Sequence, residues 1–280
     1  MAAIPRALTI AGSDSGGCAG IQADLKTFAA LGVHGMSAIT SVTAQDTRRV
    51  YLASDLPVES VERQIQAVME DIGADAVKTG MLSNSDIIRS VAEQMRHFEV
   101  QRLVVDPVMV STGGDPLIRP QAVDALKQDL FPLATIVTPN LREAELLTGQ
   151  SIASQSEARQ AARQILSWGA RSVVIKGGHF DDRRRSVDYF FDGEDWIPFP
   201  ADRIDTPNTH GSGCTFASAI AAQLARGEGL LEALLQAKIY VTEAIRHSLP
   251  IGKGNGPLGH FHSVEAWQRG FHAKTQRRKG

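Results

Sequence analysis

The 280-residue chain holds only two cysteines, Cys18 and Cys214. Two thiols cannot build a disulfide framework or a multi-thiolate zinc site, and their scarcity suits a reducing cytoplasm. A surplus of charge is missing too: 29 basic side chains face 31 acidic ones, a formal net charge of -2. So balanced a field offers no cationic attraction to nucleic acid or to an anionic membrane, and neither is expected as a partner. No window reaches about 18 uninterrupted apolar residues, which argues against membrane spans. The opening MAAIPRALTI is broken by Pro5 and has no long apolar core, so it reads as the lead-in to a strand and not as a signal peptide. Internal repeats and long Pro/Gly/Ser linkers are absent, and so is the G-x-x-x-x-G-K-[ST] phosphate loop of Walker-type kinases.

What is present is ordinary globular material, 43% hydrophobic and 21% charged. It is enough for one domain over residues 1–270, followed by a basic tail, FHAKTQRRKG, read as a frayed, solvated end over 271–280. Short β-branched runs alternate with segments of helical periodicity, the signature of βαβ units. Strands are expected at Ala7–Ala11, Ser37–Val42, Ala74–Val77, Arg102–Val105, Thr135–Val137 and Ser172–Ile175. Helices are expected at Gly20–Leu31, Val58–Asp71, Asp86–Phe98, Pro120–Gln128, Gln155–Trp168, Gly213–Ala225 and Leu230–His247. Val187–Phe191 and Asp195–Phe199 flank Asp192-Gly193 and read as an antiparallel edge hairpin. The fold class is therefore α/β: a mostly parallel central sheet with helices on both faces.

Ligands in open parallel sheets bind beyond the carboxyl ends of the strands. Those ends carry Gly12-Ser13-Asp14, Gln45, Lys78-Thr79-Gly80-Met81, Asp106-Pro107, Asn140 and Lys176-Gly177-Gly178-His179. Six successive strands thus deliver polar or glycine-rich chemistry to one edge. A G-x-G-x-x-G at Gly254–Gly259 follows a helix and contains a proline, so it is misplaced for a dinucleotide fingerprint. The better anion site is Asn208-Thr209-His210-Gly211-Ser212-Gly213-Cys214, which runs straight into a small-residue helix. Gly211 and Gly213 let the backbone turn closely, and the N–H groups of the helix start would face a phosphate. Cys214, in the first turn, is expected to have its thiol pKa lowered there; the bland alternative is a small buried residue.

These residues carry a family resemblance. The chain resembles the ribokinase-like superfamily, and within it the bacterial hydroxymethylpyrimidine/phosphomethylpyrimidine kinases of thiamine biosynthesis. The likeness runs from about residue 7 to residue 262 through AGSDSGGCAGIQADLKT, SVTAQ, VKTGML, DPVMVSTGG, TPNLREAELL, VVIKGGH, NTHGSGCTFASAIAAQLARG and GNGPLGHF. It implies a substrate pocket lined by Gly12, Asp24, Gln45, Met81 and Cys214, with Cys214 as candidate base in the anion hole of Gly211 and Gly213. Gln45 suits that role on its chemistry, since a carboxamide can accept from an exocyclic amine and donate to the adjacent ring nitrogen. Met81 would touch the flat ring, with a plain core methionine as the rival; Asp24, without the resemblance, reads as a solvated helix residue. The resemblance further implies ATP as donor, met by Lys176, Thr209 and Lys238, although a snorkelling surface lysine competes for Lys238. Lys176 ends a buried strand, where a phosphate is a more plausible partner than solvent. Asp106, Asn140 and Glu143 match the family's Mg²⁺ region, with a helix-dipole acid as the alternative for Glu143. The Gly254–Gly259 segment would close the adenine end, and a homodimer is the assembly implied. Pyridoxal kinase of the same superfamily and a non-catalytic nucleotide sensor are the rival functions.

Overall fold

The computed structural model describes residues 3–111, 113–177 and 184–263. The expected basic tail lies outside them. Two strands open the chain, β1 (Arg6–Asp14) and β2 (His34–Gln45), joined by helix α1 (Gly20–Ala30). β3 (Val50–Asp55), α2 (Val58–Asp71), β4 (Ala76–Thr79), α3 (Ser85–His97) and β5 (Leu103–Val105) follow. Next come α4 (Ala122–Ala125), β6 (Ile136–Val137), α5 (Leu141–Thr148), α6 (Gln155–Leu166) and β7 (Val173–Ile175). The hairpin β8 (Arg185–Phe191) and β9 (Trp196–Asp202) precedes α7 (Ser212–Ala225) and α8 (Leu230–Arg246).

The strands form one sheet in the order β3-β2-β1-β4-β5-β6-β7-β8-β9. From β2 to β7 all pairs are parallel; β3 at one edge and β8–β9 at the other pair antiparallel. Alternation along the central strands sends side chains to opposite faces. Leu103 and Val105 join the core under α2–α6, whereas Val104 joins the core under α1, α7 and α8. Val173, Val174 and Ile175 divide in the same way. Both faces are therefore covered, as a parallel sheet requires. Chain order reverses around β1, whose neighbours are β2 and β4, and this places the switch point at Gly12 and Gly80. Pairing of β1 with β2 slips between Ala11 and Ser13, so Gly12 sits at the irregularity.

Several expectations shift, and one strand was not foreseen. β4 starts and ends two residues later than read, because Lys78 and Thr79 are inside the strand and fully buried. β2 is twelve residues long, extending through Gln45. The helix read at Pro120–Gln128 is only α4, which loosens into a π turn over Leu126–Leu130 and tightens into a 3₁₀ turn over Phe131–Leu133. β3 was invisible in the sequence because none of its residues is buried, so no buried face imposes alternation. The hairpin turns at Gly193 (φ 106°), where Asp192 accepts from the N–H groups of Glu194 and Asp195. Pro198 and Pro200 are tolerated because β9 is an edge.

α7 is buried from Thr215 to Ala225. Five alanines in that span let its backbone lie close against the sheet and α8. Ala222→Leu should therefore overpack this layer and lower stability by about 1–3 kcal/mol, measured by urea unfolding.

Candidate active site

The floor of the site is an ion pair with no access to solvent. Lys78 on β4 donates to Asp24 Oδ2 on α1 at 2.8 Å, and both side chains are fully buried. Thr9 on β1 donates to the same oxygen at 2.6 Å, while Ser218 on α7 donates to Oδ1 at 2.6 Å. Burial opposes the lysine's charge, but Asp24 chiefly offsets it and holds the ammonium above its ordinary range. A side chain on Gly80 would meet Lys78 Nζ at 2.7 Å.

Above this floor two loops are held by their own polar groups. The Asp14 carboxylate accepts from the N–H groups of Gly16, Cys18 and Ala19 at 2.8–2.9 Å, which shapes the turn into α1. Gly211 caps α7 in the left-handed region, φ 83°, and any side chain there would collide with the Cys18 carbonyl. Only glycine meets both demands. The Ser212 N–H donates to the Thr209 carbonyl at 3.1 Å, and the first turn of α7 thus opens the N–H groups of Gly213 and Cys214 on a cavity of about 670 Å³. Lys176, just past β7, sits 3.1 Å from where a Gly213 side chain would begin.

Lys176 donates to Asp106 Oδ1 at 2.8 Å and lies 3.8 Å from Glu143 Oε2. Burial works against its charge, yet the two carboxylates prevail and hold it above the ordinary lysine range. Thr138 also donates to Asp106 Oδ1. Asn140 and Glu143 form a reciprocal capping box at the start of α5, each side chain accepting from the other's N–H at 2.8 Å. Burial pushes the Glu143 carboxyl up to about 7, with Lys176 opposing and Asp106 reinforcing. Among the described residues no three carboxylates, imidazoles or thiols converge as a ready cation cage. Two buried carboxylates beside an anion hole do suit a hydrated Mg²⁺ that arrives on phosphates, because such a cation needs only one or two protein oxygens.

The cavity's other end is lined by Gly12, Gln45, Met81 and His210. Met81 Sδ lies 3.1 Å from the position of a Gly12 side chain, so glycine is what admits the thioether there. Gln45 Nε2 is 2.9 Å from His210 Nε2, and burial pushes that imidazole below its ordinary range, with Asp14 opposing.

Of the residues singled out in the sequence, Gly12, Gln45, Met81, Asp106, Asn140, Glu143, Lys176, Thr209, Gly211, Gly213 and Cys214 all line this one cavity. Two do not. Asp24 lies beneath the lining with both oxygens engaged, so it is a structural anchor and neither the solvated residue nor the substrate ligand expected. Lys238 is buried and donates to Asp188 at 2.8 Å, and Asp188 in turn accepts from the Gly177 N–H. It lines a groove between β9 and α8 and is not part of the cavity's lining. The Gly254–Gly259 segment adds nothing to the lining either; it grips Thr47 and Asn208. Cys214 is a third correction. Burial pushes its thiol up to about 11, outweighing the pull of Lys78, so desolvation defeats the helix terminus and the thiol is neutral at physiological pH.

Sequence reasoning gave no role to Lys78, Asp14 or His210. Lys78 had a signal: a charge inside the apolar run AVKTGML requires a buried counter-charge. His210 and Asp14 had none, since their partners are distant in sequence or backbone groups.

The geometry agrees with what comparison reveals. A family model described as phosphomethylpyrimidine kinase matches residues 14–259. A hydroxymethylpyrimidine/phosphomethylpyrimidine kinase of Rhizobium meliloti (strain 1021) is 52% identical over 259 residues, covering 91% of this chain and 97% of the relative. The ADP complex of Bacillus subtilis pyridoxal kinase superposes with a TM-score of 0.86 at 41% identity, covering 92% and 98% of the two chains. Phosphomethylpyrimidine kinase from Clostridium difficile 630 gives 0.76 at 44%, covering 87% and 100%. Among the described residues no helix is long and apolar enough to cross a membrane.

Two measurements probe the floor and the thiol. Lys78→Met leaves Asp24 buried without a counter-charge and should cost about 3–5 kcal/mol in urea unfolding, whereas Lys78→Met with Asp24→Leu should recover much of it. Alkylation of Cys214, followed by mass spectrometry, should be slow at pH 7 and accelerate through a midpoint near 11, because the thiolate forms only as pH rises through the shifted value.

Proposed function

The chain belongs to the phosphomethylpyrimidine kinase family of phosphotransferases, and we propose that its cavity phosphorylates 4-amino-5-hydroxymethyl-2-methylpyrimidine with ATP, then phosphorylates the resulting monophosphate to the diphosphate. The observation that carries this reading is convergence. A helix N-terminus, a partly buried lysine and two buried carboxylates line one cavity together with a carboxamide and a thioether.

At the phosphate end, Lys176 and the N–H groups of Gly213 and Cys214 would stabilise the charge on the transferring group. Phosphoryl transfer through a loose transition state needs little else from the protein. Asp106 and Glu143, steadied by Asn140, would hold Mg²⁺, which neutralises phosphate charge when bound. Thr209 lies beside the hole as a further nucleotide contact. At the ring end, Gln45 would pair with the exocyclic amine and ring nitrogen while Met81 covers the ring face. The hydroxymethyl oxygen attacks the γ-phosphorus, the bond to ADP breaks, and the hydroxyl proton passes late to an oxygen of the transferred phosphate and from there to water. Cys214 starts as a neutral thiol, so it acts by contact with the hydroxymethyl group and not as a preformed base. Two free cysteines and a nucleotide donor suit the cytoplasm. The family likeness supports a homodimer, to be read from a solution mass twice that of the chain.

A second reading, pyridoxal kinase, is favoured by the 0.86 superposition on the ADP-bound enzyme that carries that name. The higher identity to the pyrimidine kinase from Rhizobium meliloti favours the first.

Turnover with ATP, Mg²⁺ and each vitamin precursor decides among these. The pyrimidine alcohol should give the larger kcat/KM, excess chelator should abolish turnover, and absence of turnover with either compound would return the nucleotide sensor. For Cys214→Ala, both phosphorylations should fall by similar factors, below about tenfold. Loss of about 10²-fold confined to the first step would instead mark a true base.

A further inference from the structure

The glycine-rich segment at Gly254–Gly259 is built with a precision that the chemistry above does not use. The N–H groups of Lys253 and Gly254 donate to Thr47 Oγ1 at 3.1 and 3.0 Å, and that of Asn255 donates to the Thr47 carbonyl at 2.9 Å. One residue further on, the Gly256 N–H donates to Asn208 Oδ1 at 3.0 Å, and the His210 N–H donates to the Gly256 carbonyl at 3.3 Å. His210 and Pro257 also form a parallel bridge. A side chain at 254 would strike the Thr47 carbonyl, and one at 256 would strike the Leu249 carbonyl and Asn208. The segment therefore clamps two loops at once. One follows Gln45 by two residues, and the other carries His210.

What the clamp brings together is a single contact, Gln45 Nε2 to His210 Nε2 at 2.9 Å. His210 is only 5% exposed, and its Nδ1 is buried with no hydrogen-bond partner. A neutral imidazole has one donor and one acceptor nitrogen. With the amide nitrogen of Gln45 facing it, Nε2 accepts and the proton stays on Nδ1. Gln45 then turns its carbonyl oxygen, which has only a long 3.4 Å contact from Thr43 Oγ1, and one N–H to the cavity, an acceptor beside a donor. If the ring were absent, nothing on that side would prevent the carboxamide from rotating by 180° and exchanging the two. An unpartnered ring nitrogen is the cost of keeping the acceptor nitrogen toward Gln45.

We propose that His210 is a positioning residue: its Nε2 fixes the orientation of the Gln45 carboxamide, and the 253–257 clamp exists to hold the two side chains together. Discrimination for a ring that carries an amine next to a ring nitrogen is then written partly in a residue that touches Gln45 and not the amine. This rests on the reading that Gln45 meets the pyrimidine.

The test is a kinetic cycle on folded variants, checked by thermal melting. His210→Ala should raise KM for the pyrimidine about tenfold, with KM for ATP unchanged. His210→Gln, whose amide oxygen can reach the place of Nε2, should restore KM to within about threefold, whereas the shorter His210→Asn should not. Gln45→Ala with His210→Ala should be no worse than Gln45→Ala alone, because a residue acting through Gln45 has nothing left to act on. Thr47→Val, which removes the clamp's hydroxyl acceptor for the Lys253 and Gly254 N–H groups without touching either side chain, should shift the same KM in the same direction and gives a route that survives misfolding of any His210 variant. Additive losses in the double variant, equal damage from Ala and Gln at 210, or a rise in KM for ATP would overturn the proposal. Unchanged pyrimidine use in Gln45→Ala alone would overturn the placement of the substrate instead.

Discussion

A charged pair sealed from water under the cavity sets the terms for everything above it. Lys78 and Asp24 are tied to Thr9 and Ser218, so four elements, β1, α1, β4 and α7, meet at one carboxylate. Buried ion pairs rarely add net stability relative to well-packed apolar groups, but losing one partner is expensive. Their value here is geometric. Ser218 is one helical turn beyond Cys214, so the bond from Ser218 to Asp24 fixes the rotation of α7 about its axis, and with it the direction in which the first-turn N–H groups point.

The same economy of partners governs the phosphate end. Lys176 has two carboxylates for company, and burial pushes the carboxyl of Glu143 up to about 7. An incoming polyanion with its cation finds a preformed lysine, whose charge has been kept by Asp106 and Glu143 rather than by water. Preorganisation of this kind lets the donors act without reorganising at the moment of transfer. Cys214 shows the opposite balance. The helix terminus and Lys78 both favour a thiolate, but desolvation is larger and keeps the thiol neutral.

Glycine appears at the site wherever two backbones must touch. Gly211 against the Cys18 carbonyl and Gly20 against the Gly12 carbonyl press the first loop onto the start of α7. The site is thus assembled from segments nearly two hundred residues apart, brought so close that a side chain at Gly211 or Gly20 would strike a neighbouring carbonyl.

Short β-branched runs such as LVV and VVI, helical segments between them, and polar groups at the strand ends were enough to indicate the α/β class and the cavity's edge of the sheet; six lining residues stand at strand ends and four in the anion-hole motif, whereas Glu143 came only with the family resemblance. Those signals are local and repeat at a fixed period, so they survive without a fold. The strand β3 left no such trace, because an edge lying in solvent imposes no pattern. Nor could sequence say that Asp24 faces Lys78, that Lys238 is consumed by Asp188, or that His210 meets Gln45, since each pairing joins residues 50 to 165 positions apart. The thiol of Cys214 makes the division plain: its place at a helix start is written in the sequence, but its protonation depends on how much water the packed neighbours exclude, and only the tertiary structure decides that.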